Sequence, residues 1–379
     1  FISFSLAKNK TGFYGRKASY YSGFVINKPK PHEFYKGLDN IVIEDSVQLK
    51  SKEYWEQHRQ DTLTEKEQGV YDMIDTLNNL PIIRSYTDII KTIATGYKLM
   101  GKFELGPIYS LYSWNPIEGH RFSLGGRTSN DFSKHVEFSG YSAYALLDEE
   151  FKYGGGVRFF ITKKPRRLVK LIYKHDVEQV GLSSNSFNSA NAVSSVARRN
   201  PLNKLVFNTE YRVSFEREWI AGLQSTILLR NASIAPLGIT PFIKTNPETS
   251  TQDSITNITT SEASLLIRYA HHEKYVSGEF DRVSLGSKHP TLTVFYTYGI
   301  PNVFNSEYEY HKLVFGYKHK FSLGIIGTTK YQFSVGKVWG ALPYPLLEVH
   351  PGNETWGYNE NAYNLMNINE FVSDEYISF

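Results

Sequence analysis

From Lys102 onward one pattern recurs: a stretch that alternates apolar and polar residues, a turn, and another such stretch. Tyr153, Gly155, Val157, Phe159 and Ile161 alternate with Lys152, Gly154, Gly156, Arg158 and Thr162. The turn Lys163-Lys164-Pro165-Arg166-Arg167 follows, and then Val169, Leu171 and Tyr173 are set against Lys170, Lys174, Asp176 and Glu178. A side-chain period of two is that of a strand with one face in an apolar medium and the other in a polar one. Stretches of about ten residues, with short turns at one end and long polar loops at the other, predict an all-β fold: a transmembrane antiparallel β-barrel of a bacterial outer membrane.

The aromatic content fits such a medium. With 27 Tyr and 24 Phe, aromatic residues reach 15% of 379 positions. Tyr suits a membrane boundary, because its ring lies in the apolar zone while its hydroxyl stays wet. No run of about 18 apolar residues exists, so no helix crosses a bilayer. A barrel needs none, since only alternate residues of a strand meet lipid. The mean hydropathy of -0.37 therefore argues against a helical membrane protein only. Lys and Arg number 42 against 38 Asp and Glu, a net charge of +4 that gives no support to nucleic-acid binding. The absence of Cys excludes thiol catalysis, disulfides and cysteine metal sites, and suits an oxidising compartment.

Residues 1–50 mix short alternating stretches with Gly, Pro and Lys, as in Phe13-Tyr14-Gly15-Arg16 and Lys28-Pro29-Lys30-Pro31, and read as bridging strands or linker. Residues 51–100 change period. Thr64-Glu65-Lys66-Glu67 is a capping box, and Val70, Met73, Ile74, Leu77 and Leu80 follow at helical spacing. Pro81 ends that helix, and Ile82, Tyr86, Ile89, Ile90 and Ile93 mark a second. The pair reads as a cap or plug that fills the barrel, covers its periplasmic mouth or rests on the membrane surface. Polar faces carrying both Asp and Lys disfavour the last of these.

The barrel domain is expected over 101–379. Strands are expected near 103–114, 119–128, 134–147, 152–162, 168–178, 205–218, 222–231, 261–272, 278–286, 291–299, 309–322, 328–339 and 361–371. That is an odd number, whereas single-chain bacterial barrels usually have even ones, so either a missed strand or missing C-terminal strands are expected, with about 14 to 16 in the full protein. The opening Phe1-Ile2-Ser3-Phe4-Ser5-Leu6 has no export signal, which is expected to lie upstream. The connection 163–167 is short, while 179–204 and 232–260 are long and polar, as on the outer side of such a barrel. A soluble sandwich or propeller also alternates, but long strands, the aromatic load and alternating loop lengths favour the barrel.

The strand parity places Arg121, Arg127, Arg158, Lys170, Lys174, Arg212, Arg268 and Lys318 toward the lumen. Clustered, they would favour anions in a channel. Paired with Asp176, Glu178 and Glu216 on the same face, they would instead fill the interior. His271-His272-Glu273 is the densest set of ligand-type residues, but neighbours on a strand face opposite ways, so no metal site is expected. His175-Asp176, His311 and His319 show no spacing that selects a catalytic group, and no nucleophile elbow, phosphate loop or paired-His zinc helix occurs. No cofactor and no catalytic residue is expected.

Two segments depart from generic strands. Asn115 to Thr128 reads as a turn feeding a Gly-rich strand that something approaches closely. Leu342 to Thr355 is too Pro-rich for a central strand and reads as a structured loop or a lumen insertion. Their motif residues Glu118, Glu348, His350, Asn353 and Glu354 are candidate functional positions. With Trp55-Glu56-Gln57-His58-Arg59 and Asn364-Leu365-Met366-Asn367, these segments carry a family resemblance over essentially the whole chain. It resembles an uncharacterised Bacteroidota outer-membrane family, which pairs a carboxypeptidase-regulatory-like domain with a barrel domain of unknown function.

The resemblance implies that the regulatory-like domain lies upstream of Phe1 and that further strands follow the Asn-Leu-Met segment. It supplies no activity and no catalytic residues. The family is distantly similar to barrels that insert other outer-membrane proteins, but the Arg-Gly-Phe or Arg-Gly-Tyr motif of their lid loop is absent here. The expected role is a non-enzymatic transport or assembly component, in contact with outer-membrane lipid and with other outer-membrane or periplasmic proteins. The alternatives are a stand-alone channel for a small polar solute and a barrel enzyme. An obstructed lumen separates the first from the second.

Overall fold

The computed structural model describes residues 2–4, 13–15, 24–29, 31, 51–59, 62–179, 204–238, 242–245, 252–278, 280–360 and 362–379. The chain divides into two units, Phe1–Ile83 and Arg84–Phe379. In the first, β1 (Ile2–Phe4) pairs antiparallel with β2 (Phe13–Gly15). Helix α1 (Lys52–His58) starts at Ser51, whose Oγ accepts from Tyr54 N at 3.3 Å. Helix α2 (Glu65–Asn79) starts at the expected capping box. Glu67 N donates to Thr64 Oγ1 at 3.3 Å and Thr64 N donates to Glu67 Oε2 at 2.9 Å, which satisfies two otherwise orphaned donors. Pro81 opens α3 (Pro81–Thr95), at the position where a missing N–H costs nothing.

The second unit is dominated by one sheet. Its strands are β3 (Lys98–Met100), β4 (Phe103–Leu105), β5 (Tyr112–Asn115), β6 (Gly119–Thr128), β7 (Val136–Ala145), β8 (Phe151–Thr162) and β9 (Arg167–Gln179). They continue as β10 (Lys204–Ile220), β11 (Leu223–Gly238), β12 (Phe242–Thr245), β13 (Gln252–Ile255), β14 (Ile258–Ala270), β15 (Lys274–Ser277) and β16 (Arg282–Gly286). The last are β17 (Thr291–Gly299), β18 (Tyr310–Ser322), β19 (Thr328–Trp339), β20 (Glu348–Val349), β21 (Val372–Ser373) and β22 (Glu375–Ser378). Fourteen of them form a single sheet ordered β22-β19-β18-β17-β14-β11-β10-β9-β8-β7-β6-β4-β3, with β5 on β6. Its neighbours are all antiparallel. β3 and β22 do not pair with each other among the described residues, so the closed barrel expected from the sequence is not observed.

The two faces have the polarity that the alternation predicts. One carries Phe122, Leu124, Phe138, Phe159, Leu171, Tyr211, Val213, Ile227, Leu229, Ile267, Tyr296 and Leu313, all exposed. The other carries the ion pairs. On that face Tyr141 lies between Gly125 and Gly154, its register partners on β6 and β8. A Cβ on Gly125 would sit 2.9 Å from Tyr141 Cβ, and one on Gly154 would sit 2.7 Å from Tyr141 Cε1. The Gly-rich strand is therefore a seat for this ring, which is the close approach expected of the Asn115–Thr128 segment.

Several expectations need correction. The stretch 103–114 is β4 and β5 separated by a 3-10 turn at Ile108–Ser110, because Pro107 has no N–H to give a ladder. The stretch 232–260 is not a loop throughout. β11 runs on to Gly238, β14 begins at Ile258, and β12 and β13 form a hairpin between them. Thr and Ser there are strand-compatible residues that a polarity argument reads as loop. The stretch 278–286 is no sheet strand; β15 and β16 make a separate hairpin. The described residues of the 361–371 stretch, 362–371, form no strand, since Asn353, Asn359 and Asn364 hold them in turns. The long connection expected at 179–204 lies outside the described residues beyond Gln179 and before Lys204.

Candidate functional site

The ion-paired face is where the candidate residues converge. Asp176 on β9 takes a bidentate pair from Arg121 on β6, at 2.8 and 2.9 Å, and a 2.6 Å hydrogen bond from the Tyr141 hydroxyl on β7. Arg121 also reaches Glu118 at 3.1 Å. Glu118 is buried, receives Asn115 Nδ2 at 2.7 Å and lies 3.4 Å from the fully buried ammonium of Lys152, which also pairs with Asp148. Five strands' worth of backbone is thus tied together by one carboxylate-guanidinium network.

The other cations are compensated in the same way. Arg127 pairs with Glu104 at 2.6 Å, Arg158 with Glu137, Lys170 with Glu216 at 3.5 Å and Lys174 with Glu178. Arg212 and Arg230 share Glu210 at 2.6 and 2.8 Å, and Arg230 also meets Glu262 at 3.2 Å. Arg268 holds Glu273 at 2.6 Å. Of the eight lumen candidates only Lys318 makes no ion pair among the described residues. The partners expected for this face, Asp176, Glu178 and Glu216, are all engaged, so the cations fill the face rather than line a free anion path.

Two segments fold onto this face, one at each end of the strands. At the end of the short turns is the β15–β16 hairpin. Phe280 beside it stacks on Phe160, with centroids 5.7 Å apart, in a buried cluster with Leu168. Asp281 pairs with Arg158 at 2.8 Å and approaches Arg127 at 3.7 Å, and Arg282 pairs with Glu218 at 3.0 Å. Glu273 is held by Arg268, Ser284 and Tyr275. Burial pushes the carboxyls of Glu273 and Asp281 up, but hydrogen bonds from Arg268, Ser284 and Tyr275 on one, and from Arg158 on the other, outweigh it and leave both below the usual range.

At the opposite end, residues 340–374 leave β19, cross the same face and return to β22. Leu346 and Val349 pack on Val206, Ile234, Ile258 and Tyr310 of β10, β11, β14 and β18. The Pro-rich segment is therefore a folded-in insertion. Its motif residues pin it. Glu348 pairs with Lys312 at 2.6 Å, and Glu354, 2% exposed, takes Lys204 at 2.9 Å. His350 Nε2 meets Ser373 Oγ at 2.9 Å, and Asn353 Nδ2 donates to Asn364 Oδ1 at 2.7 Å. Farther along, Glu360 pairs with Lys330. Lys312 lies opposite Val338 on β19, and Lys330 is eight residues nearer the short-turn end, about 26 Å at the rise of a strand.

The segment thus runs nearly the length of β19. The sequence signal for both insertions is an apolar residue on the polar parity: Phe160 and Leu168 at one end, Val206, Ile234 and Ile258 at the other.

His271 and His272 lie in the turn after β14, not on a strand, and their rings approach to 4.1 Å with His289 4.8 Å from His271. Slight desolvation, then His272 and His289, lowers the His271 pKa. No three metal-ligating side chains converge among the described residues. His175 and Asp176 face opposite ways as expected, His175 Nδ1 meeting Thr209 Oγ1 at 2.8 Å on the apolar face.

A family model described as the C-terminal domain of a family of unknown function, DUF5686, matches residues 91–361. The chain belongs to that family. The match spans the whole of the sheet from α3 to β19 and most of the inserted segment. No curated protein sequence matches. Among solved structures the chain is similar to the crystal structure of BamA from Haemophilus ducreyi lacking POTRA domains 1–3, at 10% identity and a TM-score of 0.40. That alignment covers 67% of this chain and 45% of the other, so the chain spans less than half the length of that structure.

Proposed function

We propose that this chain is an outer-membrane β-barrel that acts as a non-enzymatic transport or assembly component together with partner proteins. The membrane assignment rests on the inverted polarity of the sheet. An ion-paired interior behind a broad exposed band of Phe, Leu, Ile, Val and Tyr is tenable in lipid, whereas in water such an apolar surface drives association. The observation that carries the role is the double obstruction of the polar face. A stand-alone channel needs that face clear, and here the β15–β16 hairpin and the 340–374 segment occupy it from opposite ends. The regulatory-like domain that the sequence resemblance implies would add a docking module to such a barrel.

The test is affinity purification of the tagged full-length protein from native membranes in mild detergent, with co-purifying proteins read by mass spectrometry. A stoichiometric partner set is expected. A protein that purifies alone and conducts steadily in planar bilayers makes it a channel instead.

A further inference from the structure

We infer that the apolar face carries a binding groove for the acyl chain of an anionic phospholipid at the short-turn end of β3, β4, β6 and β7. This rests on the membrane reading above. The groove has a volume of about 320 Å³ and is walled by Met100, Phe103, Leu105 and Phe138. Its floor is the register pair Gly126 and Gly140, which leave backbone where neighbouring positions carry side chains. Gly126 is obligatory, because a Cβ there would lie 2.8 Å from Glu104 O; a Cβ on Gly140 would meet only Gly154 O at 3.5 Å. The Gly140 position is therefore open space. A hydrocarbon chain fits such a slot by shape, in the medium where chains are abundant.

The charge beside the short-turn end of the groove selects the headgroup. The Phe132 ring stands 6.3 Å from Phe103 and 6.1 Å from Phe138 and flanks that end. The turn carrying Phe132 is tied to the β3–β4 turn, since Ser129 Oγ donates to Gly101 O at 2.6 Å and Ser129 N donates to Lys102 O at 2.9 Å. Those two turns hold Lys102 and Lys134, both exposed, against a single exposed acid, Asp131. The neighbouring Arg127 and Glu104 are spent on each other on the opposite face. An apolar slot beside two turns that carry exposed lysines matches a chain ending in a phosphate diester.

The experiment is native mass spectrometry of the full-length protein released from nanodiscs holding equal phosphatidylglycerol and phosphatidylethanolamine. Wild type is expected to retain phosphatidylglycerol in preference. Gly140→Trp, which fills the slot, is expected to cut total retained phospholipid about fivefold, and Lys102→Glu with Lys134→Glu to abolish the preference while leaving phosphatidylethanolamine bound. Gly140→Leu, with less bulk, serves if the Trp variant does not fold. Equal retention of both lipids by wild type, or unchanged retention in the filled variants, overturns the site. A chain that carbonate strips from membranes without detergent overturns the membrane reading itself.

Discussion

At the residue scale the most consequential arrangement is Arg121–Asp176–Tyr141. Asp176 takes Arg121, the Tyr141 hydroxyl and the Val177 N–H with little solvent, so Asp176→Ala leaves the Arg121 guanidinium with Glu118 alone. Loss of one partner of a buried pair costs about 3 kcal/mol or more, and the expected reading is a lower urea midpoint for the heat-modifiable folded band on gels. The ring that completes the site depends on its glycine seat. Gly154→Ala pushes a methyl to within 2.7 Å of Tyr141, which must then swing off its 2.6 Å bond to Asp176. A destabilisation of about 1–3 kcal/mol is expected by the same assay, whereas Gly140→Ala on the apolar face is expected to be near neutral. Strand parity alone placed Arg121 and Asp176 on one face. It could not pair them, because the pairing spans β6 to β9 and follows from shear between strands rather than from spacing along either one.

At the element scale the sheet strands were legible and the two insertions were only half so. β6 to β11 and β17 to β19 announce themselves by period two, since each has one exposed apolar face and one ion-paired polar face. The β15–β16 hairpin alternates in the same way, because one side of it meets the polar face of the sheet, so period two does not tell it from a sheet strand. Phe160 and Leu168, apolar on the polar parity, mark where it docks. The docking is held by carboxylates whose folded pKa values lie below the ordinary range, Glu273 and Asp281. A depressed folded pKa gives stability that is complete above the unfolded value and is lost as pH falls through the folded one. The hairpin is therefore expected to stay docked at neutral pH and to release only below the usual carboxylate range. The chain has no Cys, so Leu168→Cys beneath the hairpin gives a single reporter and leaves the Phe160–Phe280 stack in place. Its labelling by a maleimide added from the short-turn side is expected to be slow at neutral pH and faster with Asp281→Asn at the same pH. Equal rates in the two proteins refute the docking.

At the scale of the whole molecule the decisive feature of the proposed role is the 340–374 segment, because it lies across the polar face that a channel would need clear. Its ends are already held together: Glu348 pairs with Ser373 and Val349 with Val372 across β20 and β21. Residues 352–370 can therefore be replaced by a short Gly-Ser turn without parting the strands that frame them. The excision removes Glu354 and Glu360, and so frees Lys204 and Lys330. Lys330 stands opposite Lys320 on β18, with Lys318 one inward position away, so the cleared face carries an excess of positive charge near the short-turn end. Like charges opposed across a ladder are tolerated only when solvated or countered by an anion. In planar bilayers the intact protein is expected to be silent. The excised form is expected to give steady openings with anion preference, reduced by Lys318→Glu. Excision leaves the hairpin at the other end in place, so adding Asp281→Asn is expected to raise the current further. Steady conductance from the intact protein would show that the segment leaves a path beside it, and the channel reading would then replace that of a filled barrel serving partner proteins.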